Sequence, residues 1–248
     1  DEPHGTNISD VGFSVHAGEI LGIAGIAGNG QTELMNALSG ETGRPQAGRI
    51  EILASDASRM GPMARRQLGA VFVPEERIGQ AAVSDLSLMQ NSFLTSAFRM
   101  GFVNHGLINW PGVGQYTDEI LDKFDVKATG IDALASSLSG GNLQKFIMGR
   151  EILQSPQLLV VSQPTWGVDA GAAAAIHEKI QQLISAGAGA LVISQDLDEI
   201  FALSDRIAVI SQGALSPPRP TGEVTAEEVG LLMGASRTTS ETASHVHA

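Results

Sequence analysis

The sequence contains no cysteine, which excludes disulfides and thiolate metal sites and fits a reducing compartment. It has no apolar run long enough to span a bilayer, and its start does not read as a signal peptide. Basic residues are scarce: 15 Lys and Arg stand against 27 Asp and Glu, a formal net charge of -12. Such a surface repels nucleic-acid phosphates and anionic headgroups, so nucleic acid is not an expected partner. An initiator Met is also lacking, and the opening Asp1-Glu2-Pro3-His4 reads as the edge of a fragment of something longer. No internal repeat is visible.

What is present suits one large α/β domain, or a core with a small inserted subdomain: 248 residues, 43% hydrophobic and 17% charged. Apolar runs at 19–24, 70–73, 158–161, 190–194 and 206–210 read as buried strands. Helical patterns at 32–38, 170–185 and 197–203 lie between them, and this alternation predicts a mainly parallel sheet. The stretch 78–154 has few strand signals and helix formers at 86–98, 116–124 and 142–153, so a helical insertion is expected there. The domain is expected to end near 235, and the Ser/Thr-rich tail 236–248 to be disordered. His245 and His247 in that tail lack a third ligand nearby and read as solvated; His177 reads as packing or surface.

The run at 19–24 leads into Gly25-Ile26-Ala27-Gly28-Asn29-Gly30-Gln31-Thr32-Glu33 and then a helix. The spacing is that of a phosphate-binding loop with Gln31 where the lysine belongs. Gly28 and Gly30 let the backbone turn its N–H groups inward, and the helix N-terminus adds a favourable dipole. Thr32 stands where a hydroxyl ligates Mg²⁺. A Gly-rich strand-to-helix turn with no ligand is the alternative for this loop taken alone. A second turn, Leu138-Ser139-Gly140-Gly141-Asn142-Leu143-Gln144-Lys145, has Ser139 as a good N-cap and two glycines that permit close approach.

In this order and spacing the motifs closely resemble those of the ATP-binding-cassette (ABC) family, from Ile8 to about Gly234. The resemblance implies a P-loop NTPase fold of the ABC type, a mainly parallel RecA-like core with an inserted helical signature subdomain. It implies ATP as cofactor, with Mg²⁺. Residues 25, 27–33 and Glu75, at the Q-loop position, would face the nucleotide. Ser139, Gly140, Gly141 and Asn142 form the signature, and Asp169 closes the D-loop stretch Pro164-Thr165-Trp166-Gly167-Val168-Asp169.

Four positions depart from the family pattern. The Walker A Lys is Gln31, the Walker B Asp is Ser162, the catalytic Glu is Gln163 and the switch His is Gln195. Each charged or titratable group has become neutral. Gln163 cannot take a proton from water, and losing a positioned base typically costs about 10²–10⁴ in rate. Thr32 and Ser162 are left as weak metal ligands. In this family two cassettes pair head to tail, so an intact signature serves nucleotide held by the partner cassette.

The wording Gly-Asn-Gly-Gln-Thr-Glu-Leu, Ser-Gly-Gly-Asn-Leu-Gln-Lys and Gln-Pro-Thr-Trp-Gly-Val-Asp resembles the C-terminal half of the tandem ATPase subunits of simple-sugar or nucleoside importers. Transmembrane permease subunits and a second cassette are therefore the implied partners. The implied location is cytoplasmic, on the inner face of the cell membrane through the permease. The aromatic cluster Phe93, Phe98, Phe102 and Trp110 reads mainly as the core of the insertion, with one or two members facing the permease. A nucleotide-sensing regulatory module and a competent ATPase remain alternative readings of the residues.

Overall fold

The computed structural model describes residues 5–9, 11–41, 45 and 47–234. In chain order the elements are β1 (Ile20–Ala24), α1 (Gln31–Ser39), β2 (Glu51–Ile52), β3 (Ser55–Asp56), α2 (Pro62–Leu68), β4 (Ala70–Val73) and α3 (Leu88–Ser96). There follow β5 (Val103–Asn104), β6 (Leu107–Ile108), α4 (Trp110–Lys123), α5 (Gly140–Ile152), β7 (Leu158–Ser162) and α6 (Ala170–Ser185). The chain continues through β8 (Gly189–Ser194), α7 (Leu197–Leu203), β9 (Arg206–Ser211), β10 (Ala214–Leu215), β11 (Arg219–Pro220) and α8 (Ala226–Gly234).

The main sheet runs β10-β9-β1-β8-β7-β4, with β11 also pairing β9. The ladders joining β9, β1, β8, β7 and β4 are parallel. β10 and β11 add to β9 antiparallel. The five long apolar runs form these strands because both faces of the sheet are covered, so no polar residue is needed at alternate positions.

Side-chain alternation then divides the core in two. Ile20 and Ala24, Val71 and Val73, Leu159 and Val161, and Ala190 and Val192 point to one face. There they meet the insertion and helices α5 to α8. Leu21 and Ile23, Ala70 and Phe72, Val160, and Leu191 and Ile193 point to the other. That face is covered by α1 and the segment bearing Val11, Phe13 and Val15.

The insertion packs α3, α4 and α5 together. α3 starts with a capping box in which Ser87 and Gln90 satisfy each other's backbone N–H groups. A buried ionic group anchors α5: Glu151, fully buried, accepts from Arg66 Nη1 at 2.6 Å and from its neighbour Arg150 Nε at 2.9 Å. Burial pushes the Glu151 carboxyl up, but Arg66 and Arg150 outweigh it and hold its pKa below the ordinary range.

Element positions differ from the sequence reading at a few points. α4 begins at Trp110 rather than 116, because Pro111 occupies the first turn, where its missing N–H costs nothing. α5 begins at Gly140 rather than 142. The β2–β3 and β5–β6 hairpins and strands β10 and β11 were not anticipated. The tail 236–248, with His245 and His247, lies outside the described residues. Among the described residues no helix is long and apolar enough to cross a membrane.

Candidate functional site

Strand register assembles the site. Ala24 pairs with Ser194, Ser162 with Ile193, and Val73 with Val161. The chain therefore leaves β1 at Gly25, β8 at Gln195, β7 at Gln163 and β4 at Pro74 along one sheet edge. The carboxyl ends of parallel strands are where open α/β sheets bind ligands.

The phosphate loop is braced from both sides. Asn29 Nδ2 donates to the Ile26 carbonyl at 2.9 Å, and its Oδ1 accepts from Gln212 N. Gly28 and Gly30 adopt φ of +82° and +113°, the left-handed region that favours glycine. Gly25 is confined: a Cβ there would lie 2.7 Å from Gln31 Nε2. Thr32 is exposed, and Glu33 accepts from Thr6 N at 2.8 Å.

Gln31 is the residue whose placement decides most. It is 6% exposed, and its side chain folds back across the loop. Nε2 donates to the Ile26 carbonyl at 2.7 Å, while Oε1 accepts from Asn29 N at 3.0 Å. An inward backbone N–H of the kind that cradles a phosphate is thus satisfied by the chain itself.

At the end of β7, Ser162 and Gln163 are each 4% exposed. Gln163 holds φ at +53°, uncommon for a side-chain-bearing residue. Its Oε1 makes long contacts with Ser194 Oγ at 3.3 Å and Gln195 N at 3.5 Å. Gln163 and Gln195, two of the substituted positions, are thereby joined. Glu75 is exposed.

The signature turn differs. Ser139 and Gly140 are exposed, and Gly141 and Asn142 are half-buried. Ser139 caps α5, accepting from Asn142 N at 3.4 Å and Asn142 Nδ2 at 3.0 Å. Asn142 Oδ1 accepts from Lys127 N at 2.9 Å. Asp169 caps α6 through Ala172 N at 2.9 Å, and that backbone hydrogen bond first of all lowers its pKa.

The family model described as ABC transporter matches residues 8–166. The chain belongs to this family. It is 38% identical over 226 residues to the nucleoside import ATP-binding protein NupA of Lactococcus lactis, covering 91% of this chain and 44% of that protein. It is 36% identical to the guanosine import ATP-binding protein NupO of Bacillus subtilis, covering 92% and 45%. The ribose import ATP-binding protein RbsA 2 of Streptomyces coelicolor is also 36% identical, covering 88% and 41%. The chain thus spans less than half the length of these relatives.

Solved structures show the same fold. An ATP-binding subunit of an ABC transporter superposes with a TM-score of 0.72 at 22% identity, covering 92% of this chain and 89% of that one. A dimeric ATP-binding cassette bound to ADP and Pi superposes with 0.71 at 18%, covering 88% and 97%. The fold is therefore the ABC type of the P-loop NTPases.

Membership implies ATP with Mg²⁺. The loop geometry fits a phosphate, with its glycines turned and a helix N-terminus behind it. For Mg²⁺ the site offers the hydroxyls of Thr32 and Ser162. Ser162 supplies a hydroxyl where a carboxylate is usual, and among the described residues no three His, Asp or Glu gather as a metal-holding group.

The sequence reading missed two features. Arg77 reaches both the signature turn and the 163–167 segment. Glu199, 4% exposed, accepts from Thr165 Oγ1 at 2.5 Å and contacts His177 Nε2 at 3.1 Å. Burial pushes the Glu199 carboxyl up; hydrogen bonds from His177, Ser194 and Thr165 outweigh it and lower its pKa. His177 is thus tied to a buried carboxylate behind the D-loop rather than merely packed. Of the aromatic cluster, Phe102 is buried and Phe93 packs on the core, while Phe98 is 54% and Trp110 39% exposed.

Proposed function

We propose that the chain is a cassette of an importer for nucleosides or simple sugars, whose own nucleotide site is catalytically impaired and whose signature serves a partner cassette. The observation that carries this reading is the contrast between a phosphate loop occupied by its own Gln31 and an exposed signature turn at Ser139 and Gly140. ATP binds this chain's loop weakly, with backbone N–H groups on its phosphates and the Thr32 hydroxyl toward Mg²⁺. Gln163 supplies no base for the attacking water. Ser139, Gly140 and Gly141 close over nucleotide held by the partner, which brings its own lysine and carboxylates. The relatives' names point to nucleosides and sugars equally. Phe98, Leu107 and Trp110, exposed on the insertion, form the surface toward a membrane permease.

The test is ATP turnover by the assembled transporter. Ser139→Arg in this chain abolishes it, because the side chain fills the space the partner's nucleotide needs. The isolated chain stays below about 1 s⁻¹, the low end for typical enzymes, even with Ser162→Asp and Gln163→Glu, since Gln31 remains. Full turnover with Ser139→Arg, or robust hydrolysis by the isolated double variant, overturns the proposal.

A further inference from the structure

Arg77 follows Glu75 by two residues and bonds to two other segments of the chain. Its Nε donates to Gln144 Oε1 at 2.9 Å, Nη1 donates to the Gly140 carbonyl at 3.2 Å, and Nη2 donates to the Trp166 carbonyl. Gln144, 3% exposed, extends the link: its Nε2 donates to the carbonyls of Pro164 at 2.8 Å and Gln163 at 3.4 Å. One guanidinium therefore joins the turn after β4, the first turns of α5 and the stretch after β7.

Two glycines make room for it. A Cβ on Gly140 would lie 2.9 Å from Arg77 Nη1, and one on Gly167 would lie 3.2 Å from Nη2. A Cβ on Gly140 would thus displace the Arg77 fork from inside this chain, quite apart from any approach of a partner. A cation beside a helix N-terminus opposes the helix dipole, so stabilising α5 does not explain the placement. The planar fork of a guanidinium, which aims several donors in fixed directions, does.

We propose that Arg77 is a positioning residue that locks the signature turn to the segment carrying Trp166 and Asp169. The insertion and the sheet core then present these two surfaces in one fixed relation. Without the lock, α5 keeps its buried anchor at Glu151 and the Gln144 bonds to Pro164 and Gln163, but the turn at Gly140 loses its tie to Trp166. The inference concerns contacts within this chain and stands whether or not the nucleotide reading of the site holds.

The test measures the relation between insertion and core directly. The absence of native cysteine allows spin labels at Asp118→Cys on α4 and Gln181→Cys on α6, both exposed. Pulsed electron resonance on the full chain gives the distance distribution between them. The parent shows one narrow distribution; Arg77→Ala broadens and shifts it, and Arg77→Lys, a point charge without the fork, recovers only part of the order. Gly140→Ala broadens it when Arg77 is present and adds nothing when Arg77 is Ala. A purely local effect has the opposite sign, since Ala is the better helix former. An Arg77→Ala distribution superimposable on the parent overturns the proposal, as does a Gly140→Ala effect of equal size with and without Arg77. Should Arg77→Ala fail to fold, Gly140→Ala decides alone: broadening with a cooperative melt supports the lock, and an unchanged distribution overturns it.

Discussion

The phosphate loop and the signature turn are built alike: each is a glycine-bearing turn that delivers backbone N–H groups to a helix N-terminus, at α1 and at α5. One side chain separates their fates. In the phosphate loop, Gln31 turns inward and spends its amide on the loop's own Ile26 carbonyl and Asn29 N–H. At the signature, Ser139 caps the helix through Asn142 and stays exposed, and further bracing comes from outside the turn, from Lys127 and Arg77. The phosphate loop thus carries a buried side chain folded across it, whereas the residue that starts the signature helix stays exposed.

The largest effect expected lies behind the signature, where α5 is anchored. Glu151 faces Arg66 and Arg150, and Arg150 is 2% exposed. Removing one partner of a buried ion pair costs about 3–5 kcal/mol, because the other charge is left buried. Glu151→Gln removes the one carboxylate that balances two guanidinium groups, which keep only carbonyl acceptors, and urea unfolding should register a loss of that size. A loss below about 1 kcal/mol, the range of exposed pairs, would show that α5 is not anchored there and that the rigid backing of the signature turn lies elsewhere.

A middle-sized effect separates two roles for Gln31. Hydrogen bonds to charged groups contribute roughly 1.5–3 kcal/mol, against about 0.5–1.5 for neutral ones. Gln31→Lys should therefore tighten ATP binding by about 1 kcal/mol, roughly fivefold. Gln31→Ala is the sharper variant. If Gln31 competes with phosphate for Asn29 N–H, removing it leaves affinity equal to or higher than the parent's in a titration calorimeter. If Ala weakens binding, Gln31 is a phosphate ligand and the loop is less closed than its geometry implies.

Much of this comparison was legible in the sequence, and for a physical reason. β1, β4, β7, β8 and β9 are continuous apolar runs because they are buried on both faces, and their register then fixed which substituted residues would meet. The motif spacing located both turns. The two-residue strands β2, β3, β5 and β6 carry no apolar period of their own and left no signal. The start of α4 was hidden by Pro111, Gly112 and Gly114, residue types that favour loops; Gly114 nonetheless sits inside the helix, buried. Which way the Gln31 amide turns, and that Arg77 reaches Trp166 across 89 residues of chain, are facts of packing that no local pattern carries.

The smallest effect bears on why Ser139 is a serine. Ser139 and Asp169 are both N-caps, of α5 and α6, and capping alone would explain either. Their geometries differ: Ser139 Oγ lies 3.4 Å from the N–H it caps, Asp169 Oδ1 only 2.9 Å. The charged Asp169 also meets the positive end of the α6 dipole. Ser139→Ala should therefore cost well under the ~1 kcal/mol typical of a capping residue, while Asp169→Ala lowers the melting temperature more. Acid should erase that difference. The folded pKa of Asp169 is depressed, so its contribution is fully present above the ordinary Asp value of 3.8 and is lost as pH falls below it through the folded value. Melts of both variants between neutral pH and about pH 3, bracketing that ordinary carboxyl value, should thus converge for Asp169→Ala and stay parallel to the parent for Ser139→Ala. That outcome would leave capping too weak to account for the serine, as the proposed contact in front of the helix requires. Should Ser139→Ala prove as damaging to stability as Asp169→Ala, the serine is a structural cap, and the contrast between the two turns loses its clearest residue.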